Sequence, residues 1–400
     1  MSGLSSTEQD CVERARVEPM LEQVEAWAAV NSGSRNLAGL ATVAGQVADA
    51  FATLPGSLAL VDPAPVDEVD SAGRSVALDH GRNLHLKVRP EAPVQLLLTG
   101  HMDTVFAIDH PFQSLAWLDD GVLNGPGVAD MKGGIAVMLA ALKAVEGRVS
   151  GLGYEVIINS DEEVGSAGSA ALIAAAARGK LAALTYEPSA LPDGTLAGAR
   201  PGSGNFSFIV RGRSAHAGRN PEDGRNALIA AADLALRLEK SKYPGLNVNP
   251  ARIDGGGPSN VVPDLAILRV NVRPAIPEDE LRAKTLIEST VATVAAEHDV
   301  AIEIHGSFGR PPKPMTPEAE ALFTLVKQAG TDLGQSIAWQ ATGGVCDGNN
   351  IAACGVPVVD TMGVRGGKIH SAEEYLIVDS LKERAALSAL TILRLADGRL

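Results

Sequence analysis

An α/β fold with a smaller unit inserted into it is predicted by three features of the chain. In the first part, short apolar runs alternate with helical patterns, as in a sheet covered by helices on both faces. Over residues 198–311 the order changes to β-α-β-β-α-β, that of a small split unit. Helix–strand alternation then resumes to the C-terminus. The expected division is a discontinuous domain, 1–197 with 312–400, interrupted by a lid-like unit at 198–311.

The run Val94-Gln95-Leu96-Leu97-Leu98 has the uninterrupted apolar character of a buried strand and ends in Thr99-Gly100-His101-Met102-Asp103. Gly133 to Val145 reads as a helix, and Tyr154 to Asn159 as a strand running into Ser160-Asp161-Glu162-Glu163. An Ala-rich helix from Ala170 to Ala177 precedes a third strand, Leu181 to Tyr186, which delivers Glu187. In the inserted unit, Phe206, Phe208 and Val210 alternate along Asn205 to Arg211, as on a half-exposed strand. A helix from Arg225 to Lys240, strands around Val248 to Ile253 and Leu265 to Val272, a long helix from Glu278 to His298 and a strand from Ala301 to His305 complete it. Gly309-Arg310-Pro311-Pro312-Lys313-Pro314 reads as the return hinge, and Gly198 to Gly204 permits movement on the outward crossing. The last part reads as a helix from Pro317 to Leu333, a Gly343-Gly344 loop, a strand from Val356 to Thr361 and a terminal helix from Ser380.

Composition excludes several functions. The chain has 400 residues, 46% of them hydrophobic and 20% charged, as in a globular protein of more than one core. A net charge of −14 and 4% aromatic residues argue against nucleic acid, which needs cations for phosphate and rings for bases. No apolar run reaches the roughly 18 residues of a membrane span. Three sparse cysteines, Cys11, Cys346 and Cys354, give no disulfide framework, and Met1 to Asp10 lacks a basic start and apolar stretch. The expected setting is cytoplasmic.

Three predicted strands each end in a His or an acid, and in open α/β sheets ligands bind beyond the carboxyl ends of strands. His101, Asp130, Glu163, Glu187 and His370 together offer two imidazoles and three carboxylates, enough for a pair of divalent ions. Glu162 is a spare carboxylate beside one of them, suited to moving a proton. That combination points to metal-assisted hydrolysis. Each residue alone has a plainer reading. Asp130 sits in a glycine-dense turn where an acid often caps a helix. Asp161-Glu162-Glu163 reads equally as a solvated acidic turn, Glu187 as an edge-facing acid, and His370 and His216 as ordinary histidines.

The motifs taken together resemble the M20 family of dinuclear zinc peptidases and deacylases. Those motifs are Gly100-His101-Met102-Asp103-Thr104-Val105, Gly125 through Gly134, Asp161-Glu162-Glu163-Val164-Gly165 and His370-Ser371. Ser214-Ala215-His216-Ala217-Gly218, with Gly224-Arg225-Asn226-Ala227 behind it, is similar to that family's dimerisation-domain signature. The likeness runs in order over residues 95–375 and looks closest to the glutamate carboxypeptidase branch. It implies a zinc-exopeptidase-like mixed sheet, two zinc ions (Co2+ or Mn2+ as substitutes) and a homodimer formed through the inserted unit. It implies His101, Asp130, Glu163, Glu187 and His370 as metal ligands, with Asp130 bridging. Glu162 is then the general base, Asp103 orients His101, and His216 helps polarise the scissile carbonyl, often from across the dimer. Asn260 and Arg273 match positions that hold a substrate carboxylate, and Gly343 and Gly344 match a loop of backbone donors. The chain departs from the pattern at Gly343-Gly344-Val345-Cys346-Asp347-Gly348, where relatives commonly read Gly-Gly-Thr-Asp, and Pro188 to Arg200 holds no Lys to clamp an acidic side chain.

The expected activity is release of a C-terminal amino acid, glutamate among the candidates, from a small peptide or N-acyl amino acid. Deacylation of an N-acyl amino acid or diamine, of the acetylornithine or succinyl-diaminopimelate kind, uses the same residues. A non-catalytic amide-binding protein is the alternative from another class.

Overall fold

The computed structural model describes residues 3–400. Its main sheet has six strands in the order Ser57–Val61, Asn83–Val88, Leu152–Asn159, Val94–His101, Ala182–Thr185, Val358–Val359. The last four run parallel, while Asn83–Val88 is antiparallel to both its neighbours, so the sheet is mixed. Alternation sorts the strand Val94–His101 between two cores. Leu96 and Leu98 face a large cluster with the helices Gly133–Val145 and Asp379–Ala396, whereas Leu97 faces the helix Ala170–Ala177. The helix Gly133–Val145 is buried nearly all round, which its unbroken apolar composition requires.

Gly134 explains how that helix starts so close to the sheet. A Cβ there would lie 1.9 Å from the Tyr186 carbonyl oxygen, so only glycine lets the helix meet the strand exit carrying Glu187. The strand before Glu187 is shorter than expected, Ala182–Thr185. Its neighbour is only Val358–Val359, because Pro357 has no N–H to extend the ladder. Of the three N-terminal helices, Leu37–Phe51 packs on the strands Ser57–Val61 and Asn83–Val88, while Ser6–Val17 and Met20–Ala28 pack against the helix Gly133–Val145.

The second sheet is antiparallel, in the order Leu246–Gly255, Leu265–Pro274, Ser203–Arg211, Ala301–Arg310. Its inner face buries Phe206, Phe208 and Val210 against the helices Ala227–Lys240 and Pro277–His298. Asn226 caps the first of these, its side chain accepting N–H from Leu228 and Ile229, so the helix begins two residues after the expected Arg225. The strand expected to stop at His305 continues to Arg310. Gly306, at φ +104°, lets it do so while pairing closely with Phe206. The two chain crossings between the sheets lie side by side, with Arg200 and Lys313 exchanging backbone N–H···O bonds at 2.9 Å.

Candidate metal centre

The parallel strands end at one place and deliver the predicted side chains together. His101 ends its strand, Glu162 and Glu163 follow Leu152–Asn159 in a short helical turn, and Glu187 follows Ala182–Thr185. Asp130 comes from the tight turn Val128–Lys132, and His370 from a hairpin between Gly366–Gly367 and Tyr375–Ile377. His370 holds φ +63°, a conformation that a side-chain-bearing residue adopts only when its surroundings impose it.

Asp130 is shared. His101 Nε2 lies 3.2 Å from its Oδ1 and 3.7 Å from Glu187 Oε2. His370 Nε2 lies 3.3 Å from its Oδ2 and 3.1 Å from Glu163 Oε2. Each oxygen of one carboxylate thus faces a different imidazole and a different second acid. The donor atoms form two groups, His101–Asp130–Glu187 and Asp130–Glu163–His370, each compact enough for one ion. The cap reading of Asp130 fails, because the helix Gly133–Val145 has no side-chain cap.

Electrostatics fit divalent cations. Burial, then Asp130, pushes Glu163 up to about 8, and burial raises Glu187 well above the usual carboxylate range. Hydrogen bonds to Asp130 and Glu163 push His370 up to about 11. Burial pulls His101 down, but Glu187, Asp103 and Asp130 outweigh it and leave it well above the ordinary value. Glu163 and Glu187 therefore lack compensating positive charge, whereas for Asp130 the two imidazoles outweigh burial and hold it below the usual carboxylate range; oxygen and imidazole donors suit divalent ions.

Asp103 meets His101 Nδ1 with both its main chain and its side chain. The nearest acceptor for His101 Nδ1 is the Asp103 main-chain carbonyl, at 3.0 Å, with the side-chain Oδ1 at 3.3 Å. Its carboxylate also accepts the Ser34 hydroxyl at 2.7 Å and the backbone N–H groups of Glu162 and Glu163 at 3.1 and 3.2 Å. One buried acid thereby fixes the ring of His101 and the turn carrying the two glutamates.

Asp130, Glu162, Glu163, Glu187 and His370 line a cavity of about 230 Å³, whose outer wall includes Ser189, Arg200, Thr342, Gly344, Val345, Cys346 and Ile369. Arg273 donates to the Gly343 carbonyl at 3.0 Å, and these two residues line the adjoining cleft. His216 and Asn260 lie on neighbouring segments of the inserted unit, where Ala217 N–H donates to the Asn260 carbonyl at 3.0 Å. Both are exposed, and neither lines the cavity.

Residues 97–394 match peptidase family M20/M25/M40. The chain belongs to that family. It is 33% identical to carboxypeptidase G2 of Pseudomonas sp. (strain RS-16), over 82% of this chain and 80% of that one. It is 30% identical to succinyl-diaminopimelate desuccinylase of Maricaulis maris, over 76% of this chain and 82% of that one. Among solved structures, a tripeptidase from Staphylococcus aureus shares the fold with a TM-score of 0.71 at 24% identity, covering 96% of this chain and 99% of that one. An M20 family metallo-carboxypeptidase from Sulfolobus solfataricus does so with a TM-score of 0.71 at 14% identity, covering 95% and 100%. As an M20 member the protein is a metal-dependent hydrolase of amide bonds.

The sequence pattern left out several groups that hold this M20 site in place. The Glu374 carboxylate accepts N–H from Gly127, Ala129 and Asp130 at 3.1, 3.0 and 3.0 Å, clamping the turn that presents Asp130. Its only signal was an acid four residues after His370. Arg200 and Lys313 both pair with the fully buried Asp360, at 2.7 and 2.9 Å. Arg310 reaches Glu162 from a stretch that read only as a hinge. No helix among the described residues is long and apolar enough to cross a membrane.

Proposed function

We propose that this M20 hydrolase binds two zinc ions (Co2+ or Mn2+ as substitutes) and releases a C-terminal amino acid from a small peptide or N-acyl amino acid. The observation that carries the reading is the division of the Asp130 oxygens between His101 and His370, the geometry a carboxylate bridging two cations requires. His101 and Glu187 would hold one ion, and Glu163 and His370 the other. When bound, the pair would lower the pKa of a water and polarise the substrate carbonyl.

The chain's own groups do the rest. Glu162 would take a proton from the attacking water and pass it to the leaving nitrogen, a role supported by its lining the cavity without belonging to either ligand group. Arg273 offers a guanidinium for the substrate's terminal carboxylate, with Asn260 and the Gly343–Gly344 loop as further donors. His216 would supply a hydrogen bond to the carbonyl oxygen as charge develops there. Residues 198–311 would serve as lid and dimerisation unit for the catalytic domain 1–197 with 312–400. Three free cysteines suit a reducing, cytoplasmic setting.

Deacylation is the competing reading, supported by the 30% identity to a desuccinylase. A substrate panel on the zinc-loaded protein decides: dipeptides and N-acyl amino acids, glutamate derivatives included, against N-succinyl and N-acetyl diamines. Preference for the diamine series would displace the carboxypeptidase reading. Failure on every member, with both metals bound, would leave only a binding role.

A further inference from the structure

Arg310 is the last residue of the strand Ala301–Arg310 and is 5% exposed. Its Nη1 lies 2.6 Å from Glu162 Oε1, and its Nη2 donates to the Glu162 main-chain carbonyl at 2.8 Å. The same Nη2 donates to Ser166 Oγ at 2.9 Å and stands 3.6 Å from Asp347 Oδ1. One planar fork therefore grips both the side chain and the backbone of a single glutamate. That fixes the carboxylate relative to its own main chain, which a point charge cannot do. Glu162 Oε1 is buried without a hydrogen-bond partner among the described residues, so the ion pair with this guanidinium is what compensates it.

The strand that delivers the fork belongs to the inserted unit. Arg310 pairs with Ser203 in the four-stranded sheet, and the crossing pair Arg200 and Lys313 follows immediately. Glu162 and Glu163, by contrast, are anchored to the main sheet through Asp103. A rotation of the inserted unit thus moves the fork relative to the carboxylate it holds.

We propose that Arg310 is a positioning residue for Glu162, setting the orientation of the base and making it depend on where the inserted unit sits. Lid placement and readiness of the base are then one event rather than two. The inference rests on the reading of Glu162 as general base.

The test uses the full-length, metal-loaded protein and the variants Arg310→Ala and Arg310→Lys. For Arg310→Ala, kcat falls roughly 30-fold or more, within the range by which a general base accelerates a reaction. KM changes by less than about threefold and bound metal per chain is unchanged, because the fork does not line the cavity and contacts none of the candidate ligands. Methylguanidinium added to Arg310→Ala recovers part of kcat, and recovers nothing in Glu162→Gln. Arg310→Lys keeps a charge but cannot grip both atoms, so its kcat also falls at parental KM. A crystal structure of Arg310→Ala shows the Glu162 carboxylate turned away from its parental position.

Parental kcat in Arg310→Ala overturns the proposal, as does a loss that tracks metal release and ignores methylguanidinium. If the alanine variant does not fold, Arg310→Lys decides alone: parental kcat overturns the proposal, and a lowered kcat at parental KM and metal content supports it. A parent protein that cleaves no amide at all would instead sink the functional reading, which keeps the two failures apart.

Discussion

Glu374 Oε1 accepts the backbone N–H of Asp130 at 3.0 Å, so the carboxylate shared by the two donor groups hangs from a turn that another buried acid holds shut. The same oxygen receives Ala129 N–H at 3.0 Å, and Oε2 receives Gly127 N–H at 3.1 Å. Glu374→Gln puts an amide donor against at least one of these donors. Leaving a buried donor unpaired costs about 1–3 kcal/mol, and the turn relaxes to avoid it. The expected result is metal binding about 10–100-fold weaker, as for other groups that orient ligands without touching the ion. Competition with a chromogenic chelator measures it. Parental affinity would show that the turn keeps its shape without this acid.

Glu162 stands beside Glu163 but belongs to neither group of donor atoms. Glu162→Gln is therefore expected to keep both metals while kcat falls by about 100-fold or more, the usual loss for a general base. Metal analysis and turnover on the best panel substrate are read together. Turnover within a few fold of the parent removes Glu162 as base.

Away from the centre, Glu155 lies between His85 at 2.6 Å and Lys180 at 2.8 Å, with its side chain 16% exposed. Burial pushes its carboxyl up, yet the hydrogen bonds from His85 and Lys180 win and hold it at about 2, below its ordinary 4.5. A depressed carboxylate contributes stability above its unfolded pKa and loses it as pH falls through the folded value. The window is thus about pH 4.5 down to about 2. Glu155→Gln is expected to cost about 1–3 kcal/mol at neutral pH, with the gap to the parent narrowing as pH drops through that window. Urea denaturation at several pH values checks this, and a gap independent of pH refutes it.

What was legible in the sequence follows from what a local pattern encodes. The strand Val94–His101 and the helix Gly133–Val145 are buried on both sides, so their apolar runs stand out, and three of the candidate ligands, His101, Glu163 and Glu187, follow from where the parallel strands end. The inserted unit was readable because alternation at Phe206, Phe208 and Val210 marks one covered face. Strand ends were less legible. Extension to Arg310 depends on pairing with Ser203–Arg211, a partner about a hundred residues away that no local window contains. Glu374, Arg310 and Arg200 act through contacts between distant segments, and their flanking residues carry no periodic signal. Asp103 was found for its spacing from His101; that its side chain also holds the Glu162–Glu163 turn depends on a contact that only the sheet order creates.

His216 offers a test of the assembly. Its Nδ1 accepts the backbone N–H groups of Gly218 and Arg219, both at 3.1 Å, so the ring carries its proton on Nε2. That leaves an exposed donor on the inserted unit, away from the cavity of its own chain. If a second copy receives this donor, Glu162→Gln and His216→Ala each inactivate a dimer but complement one another. In a mixed dimer, one centre has an intact Glu162 and receives an intact His216 from its partner, while the other centre lacks both. Random exchange makes half the dimers mixed, so an equal mixture recovers about a quarter of parental activity under two-fold symmetry. Unfolding and refolding the two variants together, then separately, measures the recovery. If His216 serves its own chain, every centre in every dimer lacks one of the two groups, and the refolded mixture stays as inactive as its components.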